Sequence, residues 1–110
     1  MKVIINKLIP MKGYIAMTIW PFIFARKELD KYTFNHENIH GEQQKELLIL
    51  FFLFLYCLEY IIKLCITFDH NKAYKSISFE QEVYRYEHNF NYISTRHHYT
   101  WIKYIFKVLK

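Results

Sequence analysis

The sequence has little of what breaks, bends or cross-links a chain. Only two glycines and two prolines occur among 110 residues, so composition marks few turns. The two cysteines, Cys57 and Cys65, lie in one apolar segment. On a helix their spacing separates them by about 12 Å, whereas a disulfide needs Cα atoms within about 7 Å of each other. We therefore expect two free, buried thiols, as in a reducing compartment.

Concentrated positive charge is also missing. The net charge is +5, but the lysines and arginines are scattered and form no run of five or more. We therefore expect no nucleic-acid partner. Hydrophobic residues make up 53% of the chain and aromatics 20%, which excludes a disordered chain. The length predicts a single domain spanning 1–110.

The first 25 residues favour a short β element. Segment 3–9 is short and rich in β-branched residues, which favours a strand. Segment 14–25 is typical of a second strand or a bent pair of strands, and Pro21 indicates an edge position or a break. We expect an antiparallel, hairpin-like element. A signal peptide is disfavoured by Pro21, by the bulk of Trp20 and by the lack of a small-x-small cleavage site. We therefore predict a cytoplasmic protein, not secreted, with membrane association possible.

The motif H-E-x-x-H follows, formed by His36, Glu37 and His40. Thr33 or Asn35 would cap its helix. Residues four apart lie on one face of a helix, so the two imidazoles can occupy two positions of a tetrahedral zinc, with Glu37 beside the metal to handle a proton. The alternative interpretation is an ordinary amphipathic helix with two solvent-facing histidines.

Segment 47–66 is apolar on almost every side and has the length of a bilayer crossing. Its charged residues are Glu59 and Lys63, four apart, which can pair or extend to the interface. A membrane or a second subunit is therefore a possible partner through this segment. A membrane-anchored or partner-docking protein, in which the motif is non-catalytic or accidental, is the alternative function.

Two further helices are predicted, one over 79–87 after a Ser78 cap and an amphipathic closing helix over 95–109. The fold class is therefore α+β, with a short β element followed by three to four helices. A catalytic zinc usually has three protein ligands, so a third must come from beyond the motif. The candidates are Glu59, His70, Glu80, Glu82, Glu87 and His88.

The segment Glu80-Gln81-Glu82-Val83-Tyr84 resembles the gluzincin pattern of zincin metallopeptidases, in which a later helix adds a glutamate, often in E-x-x-A-D or E-x-x-A-N. Here Val83 replaces the small alanine, and Tyr84 replaces the acidic or amide residue that supports a histidine. The segment Trp20-Pro21-Phe22-Ile23-Phe24, the pair Gln43-Gln44 after the motif, and Ala73-Tyr74 before Ser78 are features that residues 13–88 share with small bacterial zincin-like proteins, which the chain resembles. The resemblance implies a minimal zincin-like domain whose third ligand is Glu80, with Glu82 as runner-up.

The same resemblance implies a zinc metallopeptidase or metallohydrolase acting on a peptide or protein substrate. His36, His40 and Glu80 would hold Zn²⁺, and Glu37 would be the catalytic base. Tyr84 or Tyr86 would serve as oxyanion donor or support the site.

A shared site makes one geometric demand. In a straight helix, His40 would lie about 39 Å from residue 66. Residues 67–79 would then have to stretch almost fully, at about 3.3 Å each, to return Glu80 to the motif. The metal hypothesis therefore predicts a break within 47–56, where no glycine or proline marks one. A straight crossing would instead leave the two halves of the site on opposite sides of a membrane.

Overall fold

The computed structural model describes residues 2–8 and 14–107 and confirms the predicted α+β class. A three-stranded sheet comes first, followed by helices. The strands are β1 (Lys2–Ile5), β2 (Ala16–Ile19) and β3 (Phe22–Ala25). The helices are α1 (Lys31–Thr67), α2 (His70–Ser76), α3 (Ser78–Tyr86) and α4 (Tyr92–Thr95), and a 3₁₀ helix covers Thr100–Tyr104.

The sheet is mixed, which corrects the expectation of a purely antiparallel element. Strands β2 and β3 form the expected antiparallel hairpin across Trp20 and Pro21, whose peptide bond is cis. Strand β1 pairs parallel to β3, so the order is β1-β3-β2. The central strand buries Ile23 and Ala25 completely, and both neighbours bond to its backbone. Strand β2 therefore lies at one edge of the sheet.

Helix α1 begins earlier than predicted and is interrupted once. Its cap is Asp30, whose carboxylate accepts a hydrogen bond from the Thr33 backbone N–H at 2.7 Å, so neither Thr33 nor Asn35 is the cap. Leu48 has φ 59° and ψ 147°, outside the helical region. The predicted break within 47–56 is therefore confirmed. We call residues 31–47 the first half of α1 and residues 49–67 its second half.

Helices α2 and α3 return along α1 after the chain reverses at Phe68. Ser78 was expected to cap α3, but Ile77 holds that position and makes no side-chain cap bond. Instead, Glu59 of α1 accepts hydrogen bonds from the Ser78 backbone N–H at 2.5 Å and from its hydroxyl at 2.6 Å. A carboxylate of α1 thus fixes the start of α3, which brings Glu80 back to the motif.

The predicted closing helix over 95–109 is wrong. Helix α4 ends at Thr95, and the 3₁₀ helix begins only at Thr100; residues 108–110 lie outside the described part. Arg96 follows the last residue of α4 and has an extended backbone. Its guanidinium donates hydrogen bonds to the Glu82 and Glu46 carboxylates. Buried pairing thus overrides the amphipathic pattern of this segment.

The two cysteines are free, as predicted, but both are exposed rather than buried. They lie in the second half of α1, which faces outward with most of its apolar side chains. Periodicity cannot reveal this orientation, because a segment that is apolar almost all round has no distinct inner face.

Candidate metal centre

Three buried side chains converge from α1 and α3 on one point. The His40 Nε2 atom lies 3.1 Å from Glu80 Oε1, and His36 Nε2 lies 3.6 Å from the same oxygen. The ligand atoms of the three residues all lie within 4.8 Å of one another. This group could therefore hold a metal ion.

The other nitrogen of each imidazole is held by a hydrogen-bond acceptor. His36 Nδ1 lies 2.7 Å from Glu87 Oε2, and His40 Nδ1 lies 2.8 Å from Gln43 Oε1. The Gln43 amide is oriented because its Nε2 donates to the Phe79 carbonyl and to Glu82. Both Nδ1 atoms must therefore donate, which aims the Nε2 lone pair of each neutral imidazole at Glu80.

Lone pairs that face a carboxylate need a positive charge between them. Burial alone would lower the pKa of His40, but the Glu80 carboxylate outweighs this effect and raises the pKa to about 9. Burial would likewise raise the pKa of Glu80, but His40 and His36 hold it well below its ordinary range. A proton on His40 Nε2, which lies 3.1 Å from Glu80 Oε1, supplies such a charge without a metal. A divalent cation would supply one as well, and two imidazoles with one carboxylate are a donor set suited to zinc.

Glu37 sits beside this group and is oriented by the sheet. Its Oε1 atom accepts a hydrogen bond from the Thr18 hydroxyl at 2.7 Å, and its Oε2 lies 3.9 Å from His36 Nε2. Gln44 fixes β2 against α1, donating to the Thr18 carbonyl at 2.7 Å and accepting from the Trp20 N–H at 2.6 Å. One carboxylate oxygen is thus anchored while the other faces His36 Nε2.

Glu82 is not brought to the histidine pair. Its carboxylate accepts hydrogen bonds from the Tyr92 hydroxyl at 2.6 Å and from Arg96 Nε at 2.5 Å. It also accepts from Gln43, so it supports the amide that holds His40. Its contribution to the centre is therefore made through Gln43, rather than by direct contact with the histidines.

The two tyrosines singled out from the sequence have different surroundings. The Tyr84 ring packs edge-on against His36, with centroids 4.9 Å apart. Burial, followed by the Glu80 charge, raises the pKa of Tyr84, which keeps its hydroxyl a donor. Tyr86 instead stacks on Tyr92 at 3.9 Å in an apolar cluster with Ile39 and Val83. Of these two tyrosines, Tyr84 is therefore the one whose ring contacts the group of His36, His40 and Glu80.

The remaining ligand candidates hold other positions. Glu59 fixes the start of α3, and His70 Nδ1 lies 2.7 Å from the Tyr60 hydroxyl. His88 is an exposed side chain that packs against Tyr32. Glu87 bonds to the far side of the His36 ring, so it supports a ligand rather than facing the centre.

Sequence reasoning missed how several residues support the site, among them Gln43, Tyr56 and Glu87. Gln43 is three residues after His40, and Glu87 is seven after Glu80, so helical spacing could have suggested both. Tyr56 donates its hydroxyl to Glu80 Oε2 at 2.5 Å. No pattern pointed to Tyr56, because its position depends on how the chain continues beyond Leu48.

A cleft of about 480 Å³ opens onto the centre and is lined by the edge strand β2, both halves of α1, and residues of α2 and α3. His36, Glu37, His40 and Glu80 all face it. The β2 residues 16–18 and the tyrosines Tyr56, Tyr60 and Tyr74 also line it. The cleft is therefore large enough for a small ligand or a short peptide segment.

The geometry of this centre and its cleft is the basis for assigning a function. No protein-family model, curated protein or solved structure matches this chain.

Proposed function

We propose that the chain is a zinc-dependent hydrolase of gluzincin-like type that cleaves peptide bonds. His36, His40 and Glu80 would be the zinc ligands, and Glu37 would be the general base. The observation that carries the proposal is the convergence of two Nε2 atoms and one carboxylate oxygen within 4.8 Å, with both Nδ1 atoms held by acceptors. Glu37 lies on the same cleft, which adds a proton acceptor to the ligand set.

The protein groups have separable roles in such a reaction. A zinc ion bound here would lower the pKa of water toward neutrality and polarise a carbonyl. Glu37 would take the proton of the attacking water through its free oxygen and pass it to the leaving nitrogen. Thr18 holds the other oxygen of Glu37 in place. The Tyr84 hydroxyl is the proposed donor to the oxyanion of the substrate.

A peptide is the substrate class that best suits the cleft. Strand β2 is at the sheet edge, and its residues Ala16, Met17 and Thr18 line the cleft beside Glu37. An extended peptide can pair with such an edge through main-chain hydrogen bonds on the N-terminal side of Thr18, whose carbonyl already accepts from Gln44. This pairing would place a scissile bond next to the proposed base.

The metal is tested first. Purified protein equilibrated with zinc and then desalted should retain about one zinc per chain by elemental mass spectrometry, whereas His36→Ala and Glu80→Gln should each lose it. Glu42→Gln is the matched control, because Glu42 is on the same helix and pairs only loosely with Lys45 at 3.1 Å. A wild type without zinc, or full retention by Glu80→Gln, would contradict the ligand assignment.

Hydrolysis is tested separately, with zinc-loaded protein and a library of quenched fluorescent peptides. Glu37→Gln keeps an acceptor for Thr18 and removes the base, so it should retain zinc and reduce turnover by roughly 100-fold or more. A binding protein without turnover would show zinc in both forms and cleavage in neither. Equal cleavage by wild type and Glu37→Gln would exclude Glu37 as the base.

A further inference from the structure

The second half of α1 has the reverse of the usual polarity of a surface helix. Its only two charged residues, Glu59 and Lys63, turn inward. Its outward side chains are apolar, and within 49–67 only Phe52 and Lys63 are buried. We call the exposed set Phe51, Phe54, Leu58, Ile61, Ile62 and Ile66 the outer face. Their spacing of three to four residues makes one continuous surface.

Inward charges with outward aliphatic side chains are typical of a helix that faces lipid. In a bilayer, ionisable groups turn toward protein and find partners there. Lys63 does so, with Glu59 at 2.7 Å and the Lys107 carbonyl at 3.1 Å, and it also bonds to the Ser76 carbonyl. In water the same arrangement would expose the apolar side and bury the charges, which is unfavourable on both counts.

We propose that the outer face docks onto the acyl region of an anionic lipid bilayer, independently of the metal centre. A second copy of the chain fits less well, because protein interfaces combine an apolar core with about one hydrogen bond per 100–200 Å². The outer face consists of hydrocarbon side chains only and offers no such bonds. Acyl chains require none.

The charge of the molecule selects the lipid class. The chain carries a net charge of +5, and Lys72 and Lys75 are exposed on α2, directly after α1. Lysines beside an apolar face attract anionic headgroups.

The helix should lie in the membrane plane rather than cross it. Helix α2 packs on α1 and exposes Lys72 and Lys75, which an upright helix would carry toward the hydrocarbon. A flat helix lets the outer face enter the acyl boundary while the lysines remain at headgroup level. The metal centre then stays on one side of the membrane.

Vesicle flotation of the full chain tests docking. Wild type should float with vesicles of phosphatidylcholine and phosphatidylglycerol, and about tenfold less with phosphatidylcholine alone. The double variant Leu58→Asp, Ile62→Asp should reduce the bound fraction by about tenfold or more. Phe90→Asp is the control, since Phe90 is similarly exposed but lies in the segment between α3 and α4. Absence of flotation, or equal losses in the double variant and the control, would overturn the proposal.

Cys57 and Cys65 provide a depth measurement, because both are free and exposed on the second half of α1. Each is labelled with an environment-sensitive fluorophore in a single-cysteine variant and quenched by lipids brominated at known depths. A flat helix gives the same shallow depth at both positions, whereas an upright helix gives depths about 12 Å apart. Different depths would overturn the flat arrangement. If the protein instead forms a concentration-dependent dimer in which the labels are shielded without any lipid, the occupant of the outer face is a second copy of the chain and the bilayer proposal is overturned.

Discussion

The two halves of α1 use opposite distributions of polarity. The first half buries polar side chains, including Asn35, His36, Glu37, His40 and Gln43. The second half buries little, and most of its exposed side chains are leucine, isoleucine or phenylalanine. One continuous segment thus builds a polar interior on one side of Leu48 and an apolar exterior on the other.

The difference shows that the role of each half depends on whether its buried groups have partners and on what its exposed side chains are. Every polar group named in the first half has a partner, so its burial does not leave unsatisfied hydrogen-bonding groups. The outer face of the second half has no need of hydrogen bonds, and within residues 2–8 and 14–107 its side chains stay exposed. The first arrangement suits a ligand site, and the second suits an apolar environment.

The largest expected effect concerns the one charged pair that the second half turns inward. Lys63→Ala would leave Glu59 and several carbonyls without their cation, and we expect a loss of about 3–5 kcal/mol in the free energy of unfolding. Lys45→Ala in the first half removes an exposed partner of Glu42 and should cost less than about 0.5 kcal/mol. Urea unfolding measures both values. Equal losses would show that Lys63 is not held inside.

The next effect concerns the support of the metal ligands in the first half. Glu87→Ala removes the acceptor of His36 Nδ1, so zinc affinity should fall by about 10- to 100-fold. Glu87→Gln keeps an acceptor oxygen and should lose less. Glu28→Ala changes the net charge equally at an exposed position before α1 and is the control for charge. Competition with a chromophoric chelator measures the affinities, and a loss in Glu28→Ala as large as in Glu87→Ala would point to charge alone.

The junction between the halves predicts a stabilising substitution. Leu48 is 68% exposed and has a positive φ that a branched side chain disfavours, so Leu48→Gly should raise the free energy of unfolding by about 1 kcal/mol. Leu50→Gly, two residues on in regular helix, should lower it by about 1 kcal/mol. Thermal and urea unfolding measure the pair. Destabilisation by both substitutions would argue for a continuous helix.

The smallest effect concerns the start of the first half. The Thr33 backbone N–H lowers the pKa of Asp30 below its ordinary value of 3.8. A lowered folded-state pKa contributes stability that is present above 3.8 and is lost as the pH falls through the folded-state value. Wild type should therefore exceed Asp30→Asn slightly in melting temperature at pH 6, and the difference should shrink toward pH 3. A difference that grows on acidification would contradict this cap.

The pairing of His36 and His40 could be predicted because it depends on helical spacing alone. Glu80 was chosen because its segment resembles the gluzincin pattern, and the requirement that it meet the histidines led to the prediction of a break in 47–56. Leu48 satisfies it. The mixed sheet could not be predicted, because strand direction depends on the crossover between β1 and β2. The prediction of a closing helix was wrong because Arg96 pairs with two buried carboxylates, which the amphipathic pattern does not reveal.

By itself, the sequence determined the α+β class, the H-E-x-x-H spacing and the need for a bend between the motif and Glu80. Only the tertiary structure decided which groups complete the centre and which way the second half of α1 faces. The reason is physical: spacing tells which residues share a helix face, whereas partners from distant segments decide which face turns inward. Glu59 and Lys63 illustrate this, since their bonds to Ser78, Ser76 and Lys107 turn the charged side in and leave the apolar side out.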